Sequence, residues 1–172
     1  MNVLVAIATR HGATMEIGRA IETTLREAGL ETRLARVEDV QALEPSEAVV
    51  IGSGVYLGHW LRPARDFVRR HGPALRERAV WLFSSGPVGD PPTPAQDAPE
   101  PVDLMRELGA REYRSFAGRL DPSDLRLREK ALVALVRAPE GDYRPWPEIR
   151  AWAASIAEQL KEPSSVEGSG TG

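Results

Sequence analysis

Short apolar runs alternate with segments of helical period along the chain. Val3-Leu4-Val5-Ala6-Ile7 is bounded by polar and turn residues and predicts a buried strand. Ile17, Ala20, Ile21, Leu25 and Ala28 then fall at helical spacing, and Gly29 stands where a glycine ends a helix. Residues 31–37 alternate loosely, as a strand near a sheet edge does, and 38–43 form a short helical turn. Ala48-Val49-Val50-Ile51 is solidly apolar and predicts a central strand covered on both faces. After the glycine-rich loop 52–60, residues 62–71 read as a helix with Pro63 in its first turn and Leu61, Ala64, Phe67 and Val68 on its apolar face.

The same alternation continues to the end. Ala79-Val80-Trp81-Leu82-Phe83 is a fourth buried strand, followed by the loop 84–90 and an exposed Pro- and acid-rich connection over 90–101. A helix over 102–108 stops at Gly109, and 113–120 is a fifth strand. Asp121 and Pro122 cap and open a helix over 125–138. Trp146, Ile149, Trp152, Ala153, Ile156 and Leu160 mark the buried face of the last helix. Residues 1–161 therefore read as one domain and 162–172 as a Ser/Gly-rich disordered tail. Strands alternating with helices predict an α/β fold with a parallel, doubly wound sheet, whose ligands sit at the carboxyl ends of the strands.

Composition removes several kinds of chemistry. The 172 residues include no cysteine, which excludes disulfides, thiolate metal sites and cysteine nucleophiles. Net charge is −3, with no electrostatic footprint for nucleic acid. Lysine is confined to Lys130 and Lys161, so arginine carries almost all positive charge. His11, His59 and His71 are too scattered to argue for a metal, and His71 reads as a cation at a helix C-terminus. The chain enters a strand at once, without a basic segment and apolar core of a signal peptide, and no run is long enough to span a bilayer. The expected location is the cytoplasm, with at most weak peripheral contact with the inner face of a membrane.

The chemistry is concentrated where the first strand turns into the first helix, at Ala8-Thr9-Arg10-His11-Gly12-Ala13-Thr14. Such a turn aims free backbone N–H groups and the positive end of a helix at one spot, which suits an anion, phosphate above all. Thr9 and Thr14 offer hydroxyls and Gly12 permits close approach. For Arg10 and His11 a phosphate contact and a plain surface role stay equally open. The competing motifs fail: there is no G-x-x-x-x-G-K-[ST] run, no G-x-S-x-G elbow, and Gly52-x-Gly54-x-x-x-Gly58 is one residue too long for a dinucleotide fingerprint.

Thr9-Arg10-His11-Gly12-Ala13-Thr14 resembles the flavodoxin phosphate loop T-x-T-G-x-T, with His11 in place of the middle threonine. Residues 53–60 and 84–90 stand where flavodoxins have their two flavin-flanking loops. The resemblance is closer to the flavodoxin-like protoporphyrinogen oxidases that reduce menaquinone, with a T-R-x-G-x-T loop, a G-x-x-x-x-x-G-H run, a helical insertion after the fifth strand and a turn like Gly141-Asp142-Tyr143-Arg144-Pro145-Trp146. It implies a five-stranded sheet of order 2-1-3-4-5 with helices on both faces, and non-covalently bound FMN. It implies that Thr9, Arg10, His11, Gly12, Ala13 and Thr14 hold the phosphate, while Gly54, Val55, Tyr56, Ser85, Gly86, Pro87, Val88 and Gly89 flank the ring. Loop 84–90 lacks the aromatic that flavodoxins usually place there, and Tyr56, His59 or Trp60 is left to stack on one flavin face. Tyr56 and Trp60 have the alternative of covering the top of the sheet.

The resemblance implies an FMN oxidoreductase of the haem-synthesis kind, taking hydrogen from a reduced small molecule and passing electrons to a quinone. The alternative is a carrier or regulatory module whose only substrate is a redox partner protein. No catalytic side chain and no metal is assigned, because the flavin carries the chemistry. The helix at 125–138, with Leu125, Leu132, Leu135 and Val136 in one stripe, either packs on its domain or rests on an anionic membrane.

Overall fold

The computed structural model describes residues 1–56, 58–86, 99–120 and 141–162. Strand β1 spans Asn2–Ala8, helix α1 Ala13–Glu27, β2 Glu31–Arg36 and β3 Ala48–Tyr56. They are followed by β4 His59–Trp60, α2 Arg62–Arg76, β5 Ala79–Ser85, α3 Pro99–Leu108, β6 Glu112–Phe116, β7 Arg119–Leu120, β8 Gly141–Asp142 and α4 Trp146–Lys161. The principal sheet runs β2-β1-β3-β5-β6, all parallel. Counted as main strands, this is the expected order 2-1-3-4-5.

Period-two side-chain alternation splits the apolar residues between two cores. Val3, Val5 and Ile7 of β1 face the side covered by α1 and α4, with Val50, Trp81 and Phe83. Leu4, Ala6 and Ala8 face the side covered by α2 and α3, with Val49, Ile51 and Leu82. Parallel strands buried on both faces must read as continuous apolar runs, and these do. Phe83, Phe116 and Trp152 make a tilted, edge-on aromatic trio with centroids 5.6 to 6.0 Å apart. The ring of Phe83 occupies the place a side chain at Gly52 would take, since a Cβ there would lie 2.1 Å from its Cζ.

Several elements depart from expectation. The stretch read as the loop 52–60 is largely strand: β3 continues to Tyr56 and turns back as β4, pairing Val55 with Trp60 and Tyr56 with His59. The fifth strand ends at Phe116, and Arg119–Leu120 pairs instead with Gly141–Asp142 in a separate antiparallel ribbon. The turn after β2 is a single 3-10 turn, Val37–Asp39. Helix α2 runs past Gly72-Pro73 to Arg76, because Pro73 lies on the exposed face, where water serves the carbonyl it leaves unbonded, while Leu75 extends the buried face. His71 is consequently not a terminal cation but a buried mid-helix side chain beside Phe67. Gly29 does close α1, at φ +89° with its N–H on the Arg26 carbonyl. The expected helix at 125–138 and the tail at 163–172 lie outside the described residues.

Candidate functional site

Residues 9–14 form the turn from β1 into α1. Gly12 is the N-cap of α1 with φ +91°, a left-handed conformation that side chains rarely adopt. A Cβ there would meet nothing within 4 Å, so the turn opens onto free space. The Thr9 hydroxyl accepts the Gly12 N–H at 3.0 Å, fixing the turn, while the helix ladder begins with the Glu16 N–H on the Gly12 carbonyl. The N–H groups of Ala13, Thr14 and Met15 therefore have no carbonyl acceptor within the helix. Thr9 and Thr14 are buried, Arg10 is exposed and His11 partly buried. The Arg36 guanidinium donates to the Thr9 carbonyl at 3.4 Å and ties the turn to the end of β2.

Sheet register brings the other expected residues beside this turn. Ala8, Ser53, Ser84 and Ser115 form one row across β1, β3, β5 and β6, and Gly54 pairs with Ser85 one step further on. A Cβ on Gly54 would lie 3.4 Å from the Thr14 hydroxyl oxygen. Gly86, at φ +102°, donates its N–H to the Phe116 carbonyl at 2.9 Å and lies beside the Val55 carbonyl. Thr14, Gly54, Val55, Ser85 and Gly86 thus meet at one edge, while Pro87, Val88 and Gly89 lie outside the described residues.

The three aromatics behave differently. Trp60 is 1% exposed, and its indole N–H donates to the Ser84 hydroxyl at 2.7 Å, where the Tyr113 hydroxyl also donates at 2.9 Å. It is therefore core, and the sequence alternative that it covers the top of the sheet is the one realised. His59 lies on the surface, its Nδ1 3.4 Å from Glu100, whose carboxylate also accepts the Trp60 backbone N–H at 3.0 Å. Tyr56 is 37% exposed, with the Arg10 guanidinium 4.3 Å from its ring centroid. Tyr56 and His59 are thus the exposed rings of the three, and Tyr56 is the one that lies against the turn, through Arg10.

Sequence reasoning missed the support of the turn. Arg144, in a turn noted only as family-like, is buried and donates to both carboxylate oxygens of Asp142, to Glu16 and to the Ala13 carbonyl. The hydrogen bonds from Arg144 hold the Asp142 carboxyl below the ordinary carboxylate range, and Asp142 in turn raises the Arg144 guanidinium further above its usual value. The Asp-x-Arg spacing at 142–144 was the available signal.

The edge as a whole offers a helix start, a left-handed glycine opening on free space, a hydroxyl and bare glycine backbone. This fits a phosphate joined to a flat ring. The flavodoxin domain model matches residues 4–145. The chain belongs to the flavodoxin family. Protoporphyrinogen IX dehydrogenase (quinone) of Escherichia coli strain K12 is 24% identical over 179 residues, which is 95% of this chain and 99% of that protein. A flavodoxin from the domain Archaea superposes with a TM-score of 0.64 at 17% identity, over 94% of this chain and all of its own. Flavodoxin 1 of Bacillus cereus gives 0.63 at 14% identity, over 93% and 99%. The flavodoxin fold implies FMN as the cofactor. No helix among the described residues is long and apolar enough to cross a membrane.

Proposed function

We propose that this protein is an FMN-dependent oxidoreductase that takes hydrogen from a reduced small molecule and passes the electrons to a quinone. FMN, when bound, supplies the two-electron chemistry. The first-turn N–H groups of Ala13 to Met15 and the Thr14 hydroxyl hold its phosphate, and Arg10 and His11 border it. Thr9 keeps the turn in shape by accepting the Gly12 N–H, and its own O–H remains to donate to the phosphate. Gly54, Val55, Ser85 and Gly86 line the ring, with Pro87, Val88 and Gly89 continuing that loop.

The observation that carries the reading is that Tyr56 is exposed beside the turn while Trp60 is buried against Ser84. Tyr56 would stack on one ring face, and Ser85 and Gly86 bring no ring to the other. That second face is left to a reduced substrate and then to a quinone in turn. In each cycle two electrons and two protons leave the substrate and reach the quinone, which departs as quinol. The similarity to an E. coli protoporphyrinogen IX dehydrogenase supports a porphyrinogen as the substrate class. A quinone in the bilayer calls for peripheral contact with the inner membrane face, for which the segment at 125–138 is the candidate.

The test is anaerobic mixing of the FMN-loaded protein with protoporphyrinogen, followed by a menaquinone analogue. Bleaching of the visible flavin band and its return on adding quinone is expected. A loaded protein that ignores both, yet exchanges electrons with a reductase protein, is a carrier.

A further inference from the structure

An acidic residue in the first turn of a helix is the ordinary partner of the helix's positive end, and there it competes with any external anion. Glu16 occupies that position in α1, two residues after Thr14. In this chain both of its oxygens are engaged by arginines. Arg144 donates through Nη1 to one, and Arg119 lies 3.5 Å from the other. The same Nη1 of Arg144 reaches the Ala13 carbonyl at 3.2 Å.

Arg144 is itself held from three sides. Its Nε and Nη2 meet the two oxygens of Asp142 at 2.8 and 2.7 Å, a bidentate pair. Its guanidinium stacks 4.5 Å from the Trp146 ring centroid, and the side chain is 4% exposed. Asp142 and Arg119 are register partners across the β7–β8 ribbon, which fixes where both charges stand. Among the described residues, two arginines face two carboxylates beside the turn that takes the phosphate. Arg144 is the buried member of this cluster and both carboxylates are part-exposed; such an ion pair is weak evidence for stability, and a role in specificity is the better-founded explanation for its retention.

We propose that Arg144 is a positioning residue of the phosphate site: it draws the Glu16 carboxylate off the start of α1 and ties the first turn to the β7–β8 ribbon, thereby setting the preference for a phosphate-bearing flavin. The inference rests on the FMN reading above. It requires that substitutions here act on the phosphate and leave the ring contacts alone.

Fluorescence titration of the full chain with FMN and with riboflavin reads this directly, using the parent, R144Q, E16Q and the E16Q/R144Q double variant. Freed from Arg144, an ionised Glu16 weakens FMN by about tenfold, as expected for one uncompensated charge about 12 Å away near the surface. Riboflavin changes by less than about twofold, since it carries no phosphate for that charge to repel. The double variant recovers FMN affinity to within about threefold of the parent, because the repelling carboxylate is gone. Equal losses for both flavins in R144Q, or no recovery in the double variant, assign Arg144 a merely structural role and overturn the proposal. Should R144Q fail to fold, E16Q decides, since Glu16 is part-exposed. Tighter FMN with unchanged riboflavin supports the proposal, and any other pattern overturns it. A parent that does not prefer FMN overturns the phosphate reading and this inference together, and is recognised because no substitution is involved.

Discussion

Residues 9–14 make the candidate phosphate end of the site from six consecutive positions. The ring end draws Gly54, Val55 and Tyr56 from β3, Ser85 from the end of β5 and Gly86 just after it, with Trp60, Ser84 and Tyr113 as its support. The first is a local conformational device: a left-handed glycine and a helix start specify it with few tertiary contacts. The second exists only because sheet register aligns Ser53 with Ser84 and Gly54 with Ser85. Damage to the first should therefore cost ligand and spare the fold, whereas damage to the second should cost the fold before it costs ligand.

The largest effect is expected from Trp60→Ala. It removes a buried indole and its bond to Ser84, and should cost about 3–5 kcal/mol of stability, read as a lowered melting temperature. If stability holds while flavin affinity drops, Trp60 faces the ligand and the contrast between the two ends fails. Gly12→Val is its counterpart at the phosphate end. A β-branched residue at φ +91° with its side chain in the open space of the turn should weaken FMN by at least about a hundredfold, at a stability cost of only about 1–2 kcal/mol. Equilibrium dialysis alongside denaturant unfolding separates the two quantities.

What was legible in the chain follows the same division. The five main strands, their order and the buried face of the last helix follow from uninterrupted apolar runs and the positions Ile149, Trp152, Ala153, Ile156 and Leu160. The turn at residues 9–14 is a contiguous motif and is equally plain. Trp60 was not separable from Tyr56 in the sequence, because the hairpin of β3 and β4 that turns one inward and the other outward has no periodic signature in so glycine-rich a stretch. The Arg144 network joins positions 128 residues apart, and the local Asp-x-Arg spacing signals only its Asp142 half. Helix α2 outran its glycine–proline signal because burial of Leu75 outweighs one missing hydrogen bond on an exposed face.

Tyr56→Ala should have a smaller effect, shared between ligands. Loss of a stacking partner worth about 0.5–1.5 kcal/mol weakens FMN and riboflavin alike by about two- to tenfold and leaves folding unchanged. Unequal losses would place Tyr56 at the phosphate rather than the ring.

The smallest effect concerns acid. Burial holds the His71 imidazole below its ordinary value of 6.5, with the nearby Arg70 charge acting in the same direction and the Val40 backbone and Glu44 opposing it. The unfolded chain therefore binds a proton first as pH falls. The stability contributed by neutral His71 is complete above that ordinary value and declines below it, with a slope of at most about 1.4 kcal/mol per pH unit. His71→Asn should flatten that portion of a pH–stability profile. Asp142, held low by Arg144, acts in a more acidic window, from the ordinary 3.8 downward. A profile unchanged by the His71 substitution would mean that its burial carries no acid penalty.

We propose that the turn at residues 9–14 holds the terminal phosphate of a flavin. This is tested most directly by the affinities of the unaltered protein for FMN and riboflavin, measured side by side by fluorescence quenching. FMN should bind at least about a hundredfold more tightly, the equivalent of about 2.7 kcal/mol assigned to the phosphate. Equal affinities would contradict it.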